Sequence, residues 1–108
     1  MRKLYHTAAP AELLEAVKRH AHALVAGDET AAALMLEERA AEAHHEAFER
    51  LGGLRPLGNF EVIARARIGF EYIVKLRLYG TGDRDATLQI RWHRDSDNAW
   101  RIVELNDL

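Results

Sequence analysis

Six histidines and no cysteine define the acid–base and metal-binding chemistry that this chain of 108 residues offers. Glu42 and His45 stand three residues apart, a spacing that puts both side chains on one side of a helix, as di-iron carboxylate sites require. Such sites also need a second Glu-x-x-His copy and two further carboxylates, whereas here one copy is followed by strand-like segments. We therefore expect no metal and no other cofactor.

Two further histidines lie beside apolar positions of predicted helices. His44 falls next to Ala47 and Phe48, from where an imidazole could reach a cavity as an acid–base group. His20 stands in the same relation to Val17 on an earlier helix. A boundary histidine that bonds to backbone or water is the commoner situation, so we regard His44 as a candidate ligand-binding residue without assigning it a role.

Three residues of the second half complete the ligand-binding candidates. Tyr72 and Trp92 fall on the apolar face of predicted strands, where aromatic side chains usually form core and in some proteins line a pocket. Glu104 is in phase with Trp100 and Ile102, which predicts a carboxylate on that same face. A frayed or exposed end of the sheet explains Glu104 equally well.

Four predicted β-strands position these residues. Apolar and polar residues alternate along three segments, and a fourth run is mixed: residues 60–67, 70–79, 85–93 and 100–105. The Gly/Asp-rich turn at 80–84 predicts that Leu76 lies opposite Leu88 and Tyr72 opposite Trp92. A further turn is expected at residues 95–98. The result is an antiparallel meander with one strongly apolar face, which other elements must cover.

The first hairpin is expected to turn through a three-residue loop, with Gly69 in the left-handed region. That loop pairs apolar residues with one another: Phe60 with Leu76, Val62 with Val74, Ala64 with Tyr72 and Ala66 with Phe70. It also pairs Arg65 with Glu71 and Glu61 with Lys75. A two-residue loop at 68–69 would instead place Arg65 opposite Tyr72, so the longer loop is favoured.

The opposite face of the sheet combines arginines, acidic residues and aliphatic side chains. A sheet that binds RNA needs several stacking aromatic residues among its cations, and Tyr79 is the only aromatic expected on this face, so we do not expect nucleic-acid binding. Exposed aliphatic residues mixed with arginine favour a protein–protein surface. We predict homodimerisation through this face, with these candidates: Ile63, Ile73, Arg91, Val103 and Leu105.

The first half of the chain is predicted to be helical. A helix begins near Pro10 and ends at Gly27, and Asp28 caps the next helical region, 29–51, which is either one helix or two. Gly52 and Gly53 end it. The chain is therefore expected to be a single α+β domain with a helical half at about 10–51 and a sheet at about 59–106, preceded by a lead-in of residues 1–9.

Charge and hydropathy exclude several classes of function. The 15 basic and 17 acidic residues leave a net charge of −2, so no overall field favours nucleic acid or a membrane surface. The apolar runs are too short to span a bilayer, and the first residues lack the apolar core of a signal peptide. We expect a cytoplasmic protein.

Two short motifs carry a resemblance to a known family. Residues 21–28 read Ala-x-Ala-Leu-Val-Ala-Gly-Asp, and residues 99–105 read Ala-Trp-Arg-Ile-Val-Glu-Leu at the start of the last predicted strand. With helices before a meander, the chain from about Pro10 to Leu105 resembles the NTF2-like group of the cystatin-like α+β superfamily, which includes ketosteroid-isomerase-like proteins. Larger members have a β-hairpin between the helices that is not predicted here, so a short version is implied.

The resemblance implies helices packed on a curved four-stranded antiparallel sheet, frequent homodimers and, in some members, a conical cavity for small molecules. It implies no particular activity, because the group includes enzymes, transport factors and association domains. Two hypotheses follow: a homodimeric association domain without catalysis, or an enzyme or small-molecule-binding protein with a pocket between the helices and the sheet. A closed core containing Phe60, Phe70, Trp92 and Trp100 would exclude the second.

Overall fold

The computed structural model describes residues 9–108, which form helices on one face of a four-stranded sheet. The helices are α1 (Ala11–Ala26), α2 (Glu29–Ala33) and α3 (Ala41–Leu51), with 3₁₀ turns at Glu38–Ala40 and Gly52–Leu54. The strands are β1 (Asn59–Ile68), β2 (Glu71–Tyr79), β3 (Asp85–Arg94) and β4 (Trp100–Asp107). They lie in the order β1-β2-β3-β4, each antiparallel to the next, which confirms the predicted α+β meander. Of the expected lead-in, residues 1–8 lie outside the described part.

The predicted capping residues determine where α1 ends and α2 begins. Gly27 adopts a φ of 76°, and the N–H of Asp28 donates to the carbonyl of Ala23 at 3.0 Å, as in a Schellman motif. The Asp28 carboxylate then accepts a hydrogen bond from the N–H of Ala31 at 3.0 Å. The short polar sequence between the two helices therefore satisfies backbone groups at both of their ends.

The region between Glu29 and Leu51 forms two helices separated by an extended segment. Ile102 of β4 donates its N–H to the carbonyl of Met35 at 2.7 Å, and Glu37 donates its N–H to the carbonyl of Ile102 at 2.9 Å. Leu36 thus forms a short parallel bridge with the last strand. This segment covers the edge strand β4 at Ile102, where the strand would otherwise expose unpaired backbone groups.

The central pair of strands has the predicted register. Leu76 lies opposite Leu88, and Tyr72 lies opposite Trp92. Along β2 and β3 the residues facing the helices are buried, apart from the partly exposed Tyr72 and Ala86, and the residues between them are partly exposed. The strict alternation of apolar and polar residues in both strands was therefore sufficient to predict their register.

The predicted register of β1 against β2 is wrong. Val62 lies opposite Leu76 and Ala64 opposite Lys75, so Ile63 is an extra residue that forms a β-bulge. The turn has two residues, with Gly69 at a φ of 61° and Phe70 completing it. Phe70 is 91% exposed, so it is not part of the core that the predicted register implied.

A second bulge changes the facing of β4. Arg91 lies opposite Glu104 but Trp92 lies opposite Ile102, so Val103 is the extra residue. Beyond it the strand reverses its faces: Glu104 lies on the outer face, and Leu105 faces the helices at 4% exposure. The predictions of an inward Glu104 and an outward Leu105 are therefore both wrong.

The core lies between the helices and the inner face of the sheet. It is built from apolar residues of all three helices and of all strands except β1, whose apolar residues Phe60 and Val62 pack at its margin. The largest fully buried side chain is that of Trp92. Within residues 9–108, no helix combines the length and apolarity needed to cross a bilayer.

Candidate functional site

A pair of histidines lies in the core. His20 on α1 and His44 on α3 are 1% and 2% exposed, and their Nε2 atoms are 2.9 Å apart. Trp92 contacts His20 edge-on, with ring centroids 6.0 Å apart. The helical positions that the sequence placed beside apolar residues thus meet each other, 24 residues apart in the chain.

The surroundings of this pair keep both imidazoles neutral. Burial lowers the pKa of His20 to about 3, and the nearby His44 adds to that effect. Burial also lowers the pKa of His44, although Glu29 acts in the opposite direction. Two neutral rings can share one hydrogen bond when one Nε2 carries a proton and the other accepts it. The pair resembles a satisfied polar contact within a core more than an acid–base site facing a cavity.

The remaining ligand candidates lie apart from this pair. Trp92 is fully buried among core residues, and Glu104 is on the opposite face of the sheet. Arg91 donates from Nε to Glu104 at 3.1 Å and from a terminal nitrogen to Glu71 at 2.8 Å, linking β2, β3 and β4. The structure thus does not bring His44, Tyr72, Trp92 and Glu104 together in one site.

Tyr72 lines a groove at the hairpin end of the sheet, beside the start of α1. We call it the aromatic groove; its volume is about 390 Å³ and it is lined by Pro10, Arg67, Phe70, Tyr72, Arg94, Asp95 and Trp100. The rings of Tyr72 and Trp100 meet edge-to-face at 5.9 Å. The guanidinium of Arg94 lies 4.9 Å from the centre of the Trp100 ring. This combination of rings and cations was not found from the sequence, because Arg67 and Phe70 reach the groove through the hairpin whose register was wrongly predicted.

A further polar cluster surrounds His45. Its Nδ1 lies 2.6 Å from a carboxylate oxygen of Glu29, and the Glu49 carboxylate lies near both, with all three ligand atoms within 4.8 Å of one another. The hydrogen bond that His45 donates to the Glu29 carboxylate raises the pKa of His45. The exposed cluster is an ion pair between α2 and α3, and Glu42, which suggested a metal motif in the sequence, is not part of it.

The segment between α2 and α3 contacts the outer face of the sheet at β3 and β4, where Glu37 bonds to His93 and the Leu34 carbonyl accepts from Arg101. The β1 and β2 part of this face has exposed and partly exposed side chains. It carries partly exposed Ile63 and Ile73, together with Ala64, Ala66 and Ile68 beyond the bulge of β1. A shallow depression of about 200 Å³ lies between β1, β2 and β3. Of the five dimer-face candidates, Ile63, Ile73 and Arg91 remain at this surface, Val103 is 5% exposed and Leu105 faces the core.

Known structures of similar shape establish the type of fold. A crystal structure of a protein of unknown function with a cystatin-like fold, from Methylobium petroleophilum PM1, superposes on 95% of this chain and 78% of that one, with a TM-score of 0.64 and 12% identity. The chain has a cystatin-like, NTF2-like fold. An NTF2-like protein of unknown function from Cytophaga hutchinsonii ATCC 33406 matches 94% of this chain and 95% of that one, with a TM-score of 0.52 and 11% identity.

The similar structures show the NTF2-like fold and assign no function to it. No protein-family model matches the sequence, and no curated protein is significantly similar to it. Both crystal structures described above belong to proteins of unknown function. Since one fold hosts many activities, the role of this NTF2-like domain has to be argued from its own surfaces.

Proposed function

We propose that the chain is a homodimeric association domain whose two copies meet through the outer face of the sheet. The observation that carries this proposal is an aliphatic patch on that face, formed by Ile63, Ala64, Ala66, Ile68 and Ile73. Ile68 is 49% exposed, and Ile63 and Ile73 are partly exposed. Burying such a contiguous patch against a second apolar surface is favourable, because it removes apolar area from water.

The charges of the same face favour a second copy as the partner. Its four described strands place basic and acidic residues there in equal numbers: Lys75, Arg77, Arg91 and Arg101 against Glu61, Glu71, Asp85 and Glu104. A twofold interface brings one surface against itself, so a face of a single sign would repel its copy. A balanced face avoids that repulsion and allows cations of one copy to meet carboxylates of the other.

The depression on this face supports a packed interface. Ala64 and Ala66 leave a hollow beside Ile73, and the adjacent Lys75 and Gln89 form its polar rim. An interface of this kind has an apolar centre and a polar margin, as protein–protein contacts usually do. The Arg91 network with Glu71 and Glu104 extends the polar margin toward β4.

The proposal includes association without catalysis, in the cytoplasm. It is supported by the environments of the acid–base candidates: His44 is enclosed beside His20, and Glu104 is engaged by Arg91 on the other face. A general acid or base has to come within hydrogen-bond reach of a substrate, and these two groups do not share a cavity.

A charge placed in the aliphatic patch tests the proposal. Ile73→Lys should weaken the dimer, because each copy would bury an unpaired ammonium group at the contact. Ala26→Lys, which adds the same charge at an exposed position on α1, is the matched control and should leave association unchanged. Sedimentation velocity over a range of concentrations measures both. Equal dissociation constants for the two variants would contradict the proposed interface, provided that thermal unfolding shows both to be folded.

A further inference from the structure

We infer that the aromatic groove binds a small organic anion with a flat ring, held by Arg67 and Arg94 and packed against Trp100 and Tyr72. This inference goes beyond the association function and does not depend on it. The groove faces the helical side of the sheet, whereas the proposed dimer contact uses the outer face. A monomeric variant should therefore retain the ligand site.

The bulge at Ile63 provides the first argument. Without the extra residue, the alternation along β1 would direct Ala64 and Ala66 toward the helices. With it, Arg65 lies opposite Val74 and Arg67 opposite Tyr72, which places both arginines on the helix-facing register. Bulges often redirect side chains beside functional sites. Here the bulge brings a cation to the aromatic end of the inner face, at some cost to the ladder of backbone hydrogen bonds.

The balance of charge in the groove provides the second argument. The Asp95 carboxylate accepts hydrogen bonds from the N–H groups of Asp97 and Ala99 and from Arg101 Nε, at 2.8, 2.9 and 3.0 Å. Its charge is thus already engaged at the turn. Arg67 donates Nε to the carbonyl of Gly69 at 2.9 Å, and within residues 9–108 its guanidinium has no acidic partner.

Arg94 is held only loosely by an acidic residue. Its nearest carboxylate oxygen, on the largely exposed Glu12, is 3.6 Å away. The groove therefore presents two guanidinium groups whose donors remain open to a ligand. Planar guanidinium groups bind carboxylate and phosphate oxygens through paired hydrogen bonds, which are stronger than those between neutral groups.

The aromatic lining provides the third argument. Phe70 is 91% exposed at the hairpin tip, so its ring is open to contact with a ligand. Together with Tyr72 and Trp100 it offers ring surfaces around a volume of about 390 Å³, which lies in the range of small-molecule sites. A flat aromatic ring fits such walls, and an attached anion would reach the two arginines.

The anion can be a carboxylate or a phosphate, and two probes distinguish them: 2-naphthoate and adenosine monophosphate. Binding is followed by ¹H–¹⁵N NMR of the two indole N–H signals, assigned with Trp100→Phe. We expect a saturable shift of the Trp100 signal that is larger than that of buried Trp92. The neutral analogue 2-naphthalenemethanol should bind at least several-fold more weakly than 2-naphthoate.

Substitution of the arginines distinguishes ligand binding in the aromatic groove from non-specific electrostatic attraction to the protein surface. Arg67→Ala and Arg94→Ala should each weaken binding roughly tenfold, because each removes a charge-assisted contact. Arg84→Ala, an exposed arginine in the turn at the opposite end of the sheet, is the matched control and should have no effect. Thermal unfolding of each variant verifies that the hairpin and sheet are intact.

Several results would overturn the inference. No saturable Trp100 shift up to the solubility limit of either probe would do so, as would equal binding of the neutral analogue or equal losses in Arg84→Ala. Tighter binding of a short single-stranded RNA than of adenosine monophosphate would point to a nucleic acid as the occupant and contradict a small-molecule site. A persistent Trp100 shift in Ile73→Lys, with dimerisation lost, would support the ligand site independently of the association function.

Discussion

His20 and His44 face each other inside the core with their Nε2 atoms 2.9 Å apart, and one shared proton satisfies both nitrogens. Burial lowers the pKa of both rings and so favours their neutral forms. If the accepting ring gains a proton on its Nε2, two N–H groups face each other at hydrogen-bond distance. Protonation of either ring buries a charge beside Trp92. The contact between α1 and α3 therefore depends on pH.

Stability should fall as the solution becomes mildly acidic. The folded-state pKa of His20 is lowered to about 3 from 6.5, and that of His44 is also lowered, so the unfolded chain binds more protons below pH 6.5. The stabilisation is complete above pH 6.5 and is lost progressively as pH falls below it. His20 alone should reduce the free energy of unfolding by roughly 2 kcal/mol between pH 7 and pH 5. Urea denaturation at both pH values measures this change.

Two variants test whether the His20–His44 pair causes this pH dependence of stability. His20→Leu combined with His44→Leu removes both titrating rings and should abolish the loss of stability between pH 7 and pH 5. His22→Gln replaces an exposed histidine of α1 and should leave the slope as in the parent chain. The raised pKa of His45 acts in the opposite direction and remains in both variants, so it does not affect the comparison. A parent profile that is flat over this range would contradict the neutral pair.

Gly80 should tolerate no side chain. A Cβ atom there would lie 2.6 Å from the carbonyl oxygen of Leu54, which belongs to the backbone and has little room to move. Gly80→Ala is expected to reduce the free energy of unfolding by about 1–3 kcal/mol, as overpacking does. Gly58→Ala is the matched control, because a Cβ at Gly58 meets nothing within 4 Å. Similar midpoints of urea denaturation for the two variants would show that the linker does not constrain this turn.

Arg55 should stabilise the end of α1 through its forked guanidinium. Its terminal nitrogens donate to the carbonyls of Val25 at 3.2 Å and Leu24 at 2.7 Å, and the group lies 5.0 Å from the Phe48 ring centre. Arg55→Lys keeps the charge but loses the paired geometry, so we expect a loss of about 1 kcal/mol in the free energy of unfolding. Arg19→Lys, at an exposed position of α1, should change it little. Equal losses in both variants would count against this role.

Alternation and capping residues were sufficient to predict much of the fold. The pairs Leu76–Leu88 and Tyr72–Trp92 follow from uninterrupted alternation in both strands. The end of α1 follows from Gly27, because a left-handed cap favours glycine. These features depend on residues close together in the sequence or on a strict period, which is why sequence reasoning identified them.

Two bulges account for most of the wrong predictions about the site. In the run Val62-Ile63-Ala64 three apolar residues follow one another, so alternation does not reveal which of them is the extra one. The same holds for Val103, whose bulge turned Glu104 outward against expectation. The meeting of His20 with a histidine 24 residues away depends on how the helices pack, and no local pattern encodes it.

The mass of the parent chain in solution tests the proposed association most directly. Multi-angle light scattering at high micromolar concentration should give twice the chain mass of 12.3 kDa. That mass should fall toward the monomer value in Ile73→Lys and remain doubled in Ala26→Lys. A mass of 12.3 kDa for the parent chain across the whole concentration range would contradict the proposal that its outer sheet face is an interface between two copies.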